Sequence, residues 1–207
     1  HGFNSAFMGQ KSYNGVAILS RHPIDDVQFN FPDDTPESPK RLIAATIGGV
    51  RIVNTYIPNG TELFSDAFKF KLDWLQRLRS YFETTCDKNS DVLLCGDFNV
   101  APDERDVYDV KTWEGKLHFS KPERAALEYV RKWGFVDAFR KFHAEGKLYS
   151  WWNYREGAFL KDNGLRIDHI WVSPSLAARC LLCEIDKTPR GWERPSDHTP
   201  VVAAFGD

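Results

Sequence analysis

Asp91-Val92-Leu93-Leu94-Cys95-Gly96-Asp97-Phe98-Asn99 is the stretch that decides how this chain is read. The apolar run Val92 to Cys95 is too short for a helix and suits a buried strand. Gly96 breaks the run, and Asp97 and Asn99 follow at i and i+2. Strand alternation predicts that these two share one face and that Phe98 takes the other. A carboxylate and an amide then leave the end of a buried strand side by side. Open α/β sheets bind ligands beyond their strand ends, and this pair of side chains suits a hard cation and a phosphate. The plainer alternative is a strand that ends in a solvated polar turn.

Upstream, Asn14-Gly15 is a turn signal and Val16 to Leu19 an apolar strand. Residues 30 to 40, rich in Pro and Asp, read as a surface loop. Arg41 to Ile47 and Arg51 to Ile57 read as two strands joined at Gly48-Gly49, a hairpin signal. Alternation sets Tyr56 opposite Thr55 and Ile57, at the end of the second strand. Ser65 to Thr84 is predicted to be a helix. Phe68, Leu72, Leu75, Leu78 and Phe82 repeat at helical spacing, with Lys69, Lys71, Arg77 and Arg79 assigned to the outer side.

Downstream, residues 101 to 119 form a polar connection. Ser120-Lys121-Pro122-Glu123 is a capping box opening a helix through Trp133, and Gly134 stops it. Val136 to Phe142 reads as a further short helix, and Tyr149 to Tyr154 as an aromatic strand that sends Trp151 and Trp152 to opposite faces. Residues 155 to 165 read as a loop, and Arg166 to Val172 as a strand. Ser173-Pro174-Ser175 caps a short helix, and Cys180 to Ile185 and Val201 to Phe205 close the chain as strands. Many strands with a few helices between them argue for an α/β fold of packed sheets flanked by helices.

The 207 residues are 42% hydrophobic and 27% charged, a globular composition with no linker to divide it, so one domain over 1–207 is expected. No apolar run is long enough to span a membrane, and no signal peptide is seen. Cys180-x-x-Cys183 lacks a second pair at zinc spacing, so the cysteines read as reduced core residues of a cytoplasmic protein. The net charge of −2 neither supports nor excludes DNA, because Lys and Arg can still gather around one cleft. His1 is not a natural initiator, and the chain reads as lacking an N-terminal portion. A monomer is the default expectation.

Four strand ends offer polar residues: Tyr56 with Asn59, Asp97 with Asn99, Asp168, and Asp197 with His198. Asp and Asn oxygens suit Mg²⁺, which keeps waters and takes few protein ligands. A His beside a carboxylate can donate to a phosphate as a cation or act as an acid or base, and an Asp from another strand can orient it. Taken singly, each residue has an ordinary role. Tyr56 suits a rim, Asp168 can pair with Arg166, and Asp197 suits a turn.

Together the strings point further. Tyr56-Ile57-Pro58-Asn59-Gly60, Gly96-Asp97-Phe98-Asn99, Leu165-Arg166-Ile167-Asp168-His169 and Pro195-Ser196-Asp197-His198-Thr199-Pro200 resemble, in order and wording, exonuclease III-type AP endonucleases of the endonuclease/exonuclease/phosphatase superfamily. The segments from Gly9 to Ala17 and from Trp133 to Arg140 are similar too. The resemblance implies a four-layer sandwich, two mixed β-sheets face to face and flanked by helices. It implies Mg²⁺-dependent hydrolysis, with Mn²⁺ as the alternative ion, of duplex DNA 5′ to abasic sites and at 3′ ends, blocked ends included.

By the same resemblance Asp97 positions or deprotonates the attacking water and shares the metal with Asn99 and Asp197. His198 contacts the phosphate, oriented by Asp168, and Tyr56 binds phosphate or leaving group. Asn59 contacts the DNA backbone, and Trp151 and Leu165 wall a pocket for the flipped-out sugar. An Asn and a Glu that complete the family's metal site would precede His1. Two rivals stand beside this reading: a superfamily phosphatase acting on a non-DNA substrate, and an inactive DNA-binding fragment.

Overall fold

The computed structural model describes residues 2–206. His1, on which the expectation of a missing N-terminal portion rests, lies outside them. The chain opens with a hairpin, β1 (Asn4–Gly9) and β2 (Gly15–Ser20), which pair antiparallel. β3 (Asp25–Phe29) precedes the loop, and β4 (Leu42–Ile47) and β5 (Val50–Tyr56) form the expected hairpin. Gly48 and Gly49 both take positive φ, as a tight turn between twisted strands requires.

Helix α1 (Asp66–Thr85) starts at Ser65, whose hydroxyl accepts from the Phe68 N–H. The deciding stretch is β6 (Val92–Asp97). Residues 101 to 119 are less irregular than expected, holding a 3₁₀ turn at Glu104–Asp106 and the one-turn α2 (Val110–Trp113). α3 (Lys121–Arg131) has the capping box read from sequence. The helix expected over Val136 to Phe142 is instead β7 (Val136–Asp137) and a 3₁₀ turn at Phe139–Lys141. The Val136-Asp137 backbone pairs with the next strand rather than coiling.

β8 (Asp168–Val172), α4 (Pro174–Arg179), β9 (Cys180–Ile185) and β10 (Val201–Phe205) complete the chain. Tyr149 to Tyr154 forms no strand. Only Trp151 bridges its neighbours, because its backbone is shared between Leu165 and His198.

A six-stranded mixed sheet runs β3-β4-β5-β6-β8-β7, with β5 and β6 parallel and the other pairs antiparallel. The α/β class is therefore as expected. The second layer consists of two separate antiparallel pairs, β1-β2 and β9-β10. Alternation sorts the central strands cleanly. Leu42, Ala44, Val53, Leu94 and Trp171 pack with Trp74, Leu75 and Leu78 of α1 and Leu127 of α3. Ile43 and Ala45 face β2, and Leu93 and Ile170 face β9 and β10. Cys180 and Cys183 are buried free thiols in that second core. Between β2 and β10 runs a groove of about 610 Å³, floored by Ile52, Leu93, Cys95 and Ile170, which reaches Asp97 and Asp168. No described helix is long and apolar enough to cross a membrane.

A side-chain assignment is corrected as well. Lys71 does not lie on the outer side of α1. It is fully buried and bonded to Glu123 of α3, because it falls three residues after Phe68 and four before Leu75, on the core stripe.

Candidate active site

Register builds the site. Tyr56 is opposite Asp97 across the β5–β6 pair, and Asp97 is opposite Asp168 across β6–β8. The three residues therefore form one row at the strand ends, on the face away from α1 and α3. Gly96 lets β5 and β6 approach this closely. A Cβ there would lie 1.9 Å from the Thr55 carbonyl oxygen, and its φ of +126° disfavours any other residue.

Asn99 reaches Asp97, but not by strand alternation. β6 ends at Asp97, and Asn99 takes a left-handed φ of +52° that turns it back. Its backbone N–H and its Nδ2 donate to the two oxygens of Asp97 at 2.8 and 2.9 Å. Nδ2 also donates to the Ile57 carbonyl, and Asn59 Nδ2 donates to Asn99 Oδ1 at 3.2 Å. The Asn99 carboxamide is thus given over to holding Asp97 and Asn59.

His198 Nδ1–H donates to Asp168 Oδ2 at 2.9 Å, and its Nε2 lies 4.0 Å from Asp97 Oδ2. Ligand atoms of Asp97, Asp168 and His198 all lie within 4.8 Å of one another. Burial opposes charge on His198, but the hydrogen bond and field of Asp168, with the fields of Asp97 and Asp197, push its pKa up to about 9. Burial, then the charge of Asp168, raises Asp97 to about 7. Burial and Asp97 also raise the Tyr56 phenol, so it stays protonated. The Arg41 guanidinium sits 4.9 Å from the Tyr56 ring centre.

These directions give an expected result. In NMR of the metal-free protein, the His198 imidazole titrates near 9, and Asp168→Asn brings the midpoint down below 6.5. Because the folded pKa is raised, the stabilisation is complete below about 6.5 and is lost as pH rises through about 9. A midpoint near 6.5 in the parent protein would remove the imidazolium from the site.

Asp197 lies beside this group rather than in it. Its Oδ2 accepts from Trp151 Nε1 at 2.9 Å. Trp151 is half-buried and Trp152 fully buried, but not by strand alternation, since Tyr149 and Ser150 are buried as well and no strand forms here. Leu165 is fully buried among Ala101, Val107, Phe119 and Ile167, and it backs Trp151 through paired backbone bonds. Asp168 does not pair with Arg166, which bonds Asp106 and Asp137 instead.

Three residues escaped the sequence reading. Ser150 Oγ accepts from the N–H groups of Ile167 and Asp168, and its carbonyl accepts from Thr199, so it ties Asp168 to the His198 loop. His118 Nδ1–H donates to the Asn99 carbonyl at 2.7 Å, and burial lowers its pKa to about 4, so it is neutral. Neither carries a local signal, because both act through partners distant in sequence. Lys71 donates to the Asn99 and Asn59 carbonyls. Its signal was its place on the buried stripe.

The chain matches the Endonuclease/Exonuclease/phosphatase family over residues 1–198. It is 34% identical to exodeoxyribonuclease III of Haemophilus influenzae, covering 99% of this chain and 81% of that protein. An AP endonuclease from Archaeoglobus fulgidus is 40% identical with a TM-score of 0.94, over 99% of this chain and 79% of its own. A 3′ phosphatase from Neisseria, solved with a product DNA hairpin, is 42% identical with a TM-score of 0.94, over 99% and 80%. Family match, relatives and strand-end carboxylates agree: the chain belongs to the endonuclease/exonuclease/phosphatase family and is a phosphodiester hydrolase of the exonuclease III and AP endonuclease kind.

Proposed function

We propose that this protein is a Mg²⁺-dependent DNA repair nuclease that hydrolyses duplex DNA 5′ to abasic sites and at 3′ ends, blocked ends included. One observation carries the reading. A carboxylate poised near neutrality, Asp97, sits beside the hydrogen-bonded pair of Asp168 and a charged His198.

In this reading Asp97 takes the proton of the attacking water, since a base works best with its pKa near the working pH. Asn99 holds that carboxylate at the required angle. His198 donates from Nε2 to a phosphate oxygen while Asp168 occupies Nδ1, and the protonated Tyr56 hydroxyl donates to a second oxygen or to the leaving group. Asn59 meets the DNA backbone. Trp151 walls the sugar pocket with Leu165 behind it. A sugar without a base costs least to flip there.

The donor set fits Mg²⁺, which prefers a few hard oxygens. His198 is charged and given to Asp168, and Asn99 Oδ1 accepts from Asn59, so Asp97 and Asp197 would hold the ion with Asn99 behind them. An ion there supplies positive charge to a phosphoryl oxygen. Mn²⁺ meets the same donors.

The test is incision of a duplex oligonucleotide bearing one abasic-site analogue, and release of phosphate from a 3′-phosphorylated nick, in Mg²⁺ and in EDTA. The chain is assayed alone and preceded by the Asn- and Glu-bearing segment that the resemblance implies. Cleavage in Mg²⁺ that stops in EDTA is expected. Folded protein that cleaves neither substrate in either form, but hydrolyses a phosphoinositide or sugar phosphate, would install the phosphatase reading. Duplex binding by folded protein that cleaves neither DNA substrate in Mg²⁺, in either form, and hydrolyses no other phosphate ester would install the inactive one.

A further inference from the structure

We propose that the buried Lys71–Glu123 pair is a positioning device for the active site, fixing at one point the two loops that carry Asn59 and Asn99. Lys71 of α1 and Glu123 of α3 have wholly inaccessible side chains, with Nζ 2.5 Å from Oε1. The ammonium also donates to the Asn99 carbonyl at 2.7 Å and to the Asn59 carbonyl at 3.0 Å. An ammonium has three protons, so its capacity is spent on one acid and two loop carbonyls. Glu123 is equally committed. Its Oε1 accepts the His118 N–H, and its Oε2 accepts the Ser120 N–H and hydroxyl.

The packing of α1 on α3 does not call for ions. Trp74, Leu75, Leu78, Phe82, Leu127 and Val130 already share one apolar core. Replacing a buried ion pair with well-packed apolar groups of similar volume is often neutral or stabilising, so the pair is not explained by stability. What apolar groups cannot do is hold two carbonyl oxygens from different loops. Those carbonyls belong to residues whose side chains bond each other, and Asn99 also grips both oxygens of Asp97. Lys71 therefore reaches the Asp97 carboxylate through a single residue. That residue holds a left-handed backbone, a conformation that persists where the surroundings over-determine it. Burial pushes the Lys71 pKa down, and the Glu123 carboxylate opposes that shift.

The inference rests on the nuclease reading for its kinetic arm only. The experiment compares Lys71→Met, Lys71→Arg and the charge-balanced double variant Lys71→Met/Glu123→Gln. Lys71→Met strands Glu123 without its cation, so its Tm is expected to fall, and the double variant recovers it. In the double variant, amide hydrogen exchange of peptides 57–61 and 97–101, without DNA or metal, is expected to run about tenfold faster than in the parent. Its kcat is expected about 100-fold down with KM little changed, the effect of a displaced reacting group. Lys71→Arg, which keeps the charge and the donors, restores most of the exchange protection.

A double variant that recovers Tm, parental exchange and kcat together would overturn the proposal and leave the pair merely structural. Parental exchange in both peptides overturns it whatever the kinetics. A parent that fails to cleave is a failure of the nuclease reading, and the exchange arm still decides this one.

Discussion

Asp97→Asn is expected to lower kcat by about 10³-fold or more, with duplex binding in EDTA within about threefold of the parent. The amide fills the same volume and its one oxygen can still accept from the Asn99 N–H, while its NH₂ cannot accept from Asn99 Nδ2, so one of the two bonds to Asn99 is lost. The larger loss is the charged, proton-accepting form. In the metal-free site Asp97 is driven up to about 7, by burial first and Asp168 second, which places its proton affinity where a base is useful. Binding is expected to survive because backbone contacts and steering are spread over many groups. Incision and equilibrium binding on one abasic duplex check this. Loss of binding in proportion to loss of cleavage would make Asp97 a binding residue instead.

Asp106→Ala is expected to cost about 3–5 kcal/mol of stability, the range for stripping one partner from a buried ion pair. For a chain of this length that is a Tm drop of roughly 6–20 °C. Asp106 is wholly inaccessible, and its Oδ1 accepts Arg166 Nε at 2.6 Å and also bonds Arg140. Its Oδ2 caps the 3₁₀ turn through the Asp103 N–H. Without it, the inaccessible Arg166 keeps only Asp137 as a charged partner. Burial alone would raise the Asp106 pKa, but Arg166 and Arg140 hold it below the usual carboxylate range. Its stabilisation is therefore present above about 3.9 and lost as pH falls through the lower folded value. Urea denaturation at pH 7 measures the effect, and a loss under about 1 kcal/mol would mean that the network relaxes around the gap. Because Arg166 stands two residues before Asp168, the same variant is expected to loosen the His198 partner.

The local signals that succeeded were those whose physics is local. Ser65 and the Ser120–Glu123 box cap helices with atoms a few residues away, and Gly48-Gly49 turns a hairpin by its own backbone freedom. Val136 to Phe142 failed because strand pairing with β8 overrode local preference, and Tyr149 to Tyr154 failed because its bridges go to distant segments. Asn99 came out beside Asp97 for a reason other than the one read. A left-handed turn, not strand alternation, brings it there.

Apolar periodicity and short polar strings, written in neighbouring residues, were enough for the α/β class and the strand ends and for marking Tyr56, Asn59, Asp97, Asn99, Asp168, Asp197 and His198 as candidates. Which of these meet was settled by how the chain packs. The register of β5, β6 and β8 sets Tyr56, Asp97 and Asp168 in one row, and His198 reaches Asp168 across thirty residues of chain. Packing alone turned Lys71 inward, set Asp197 against Trp151, and closed Leu165 into the core. The physical reason is that the cost of burying a charge depends on the partner that comes to meet it, and those partners, Glu123 for Lys71 and Asp168 for His198, come from elsewhere in the chain.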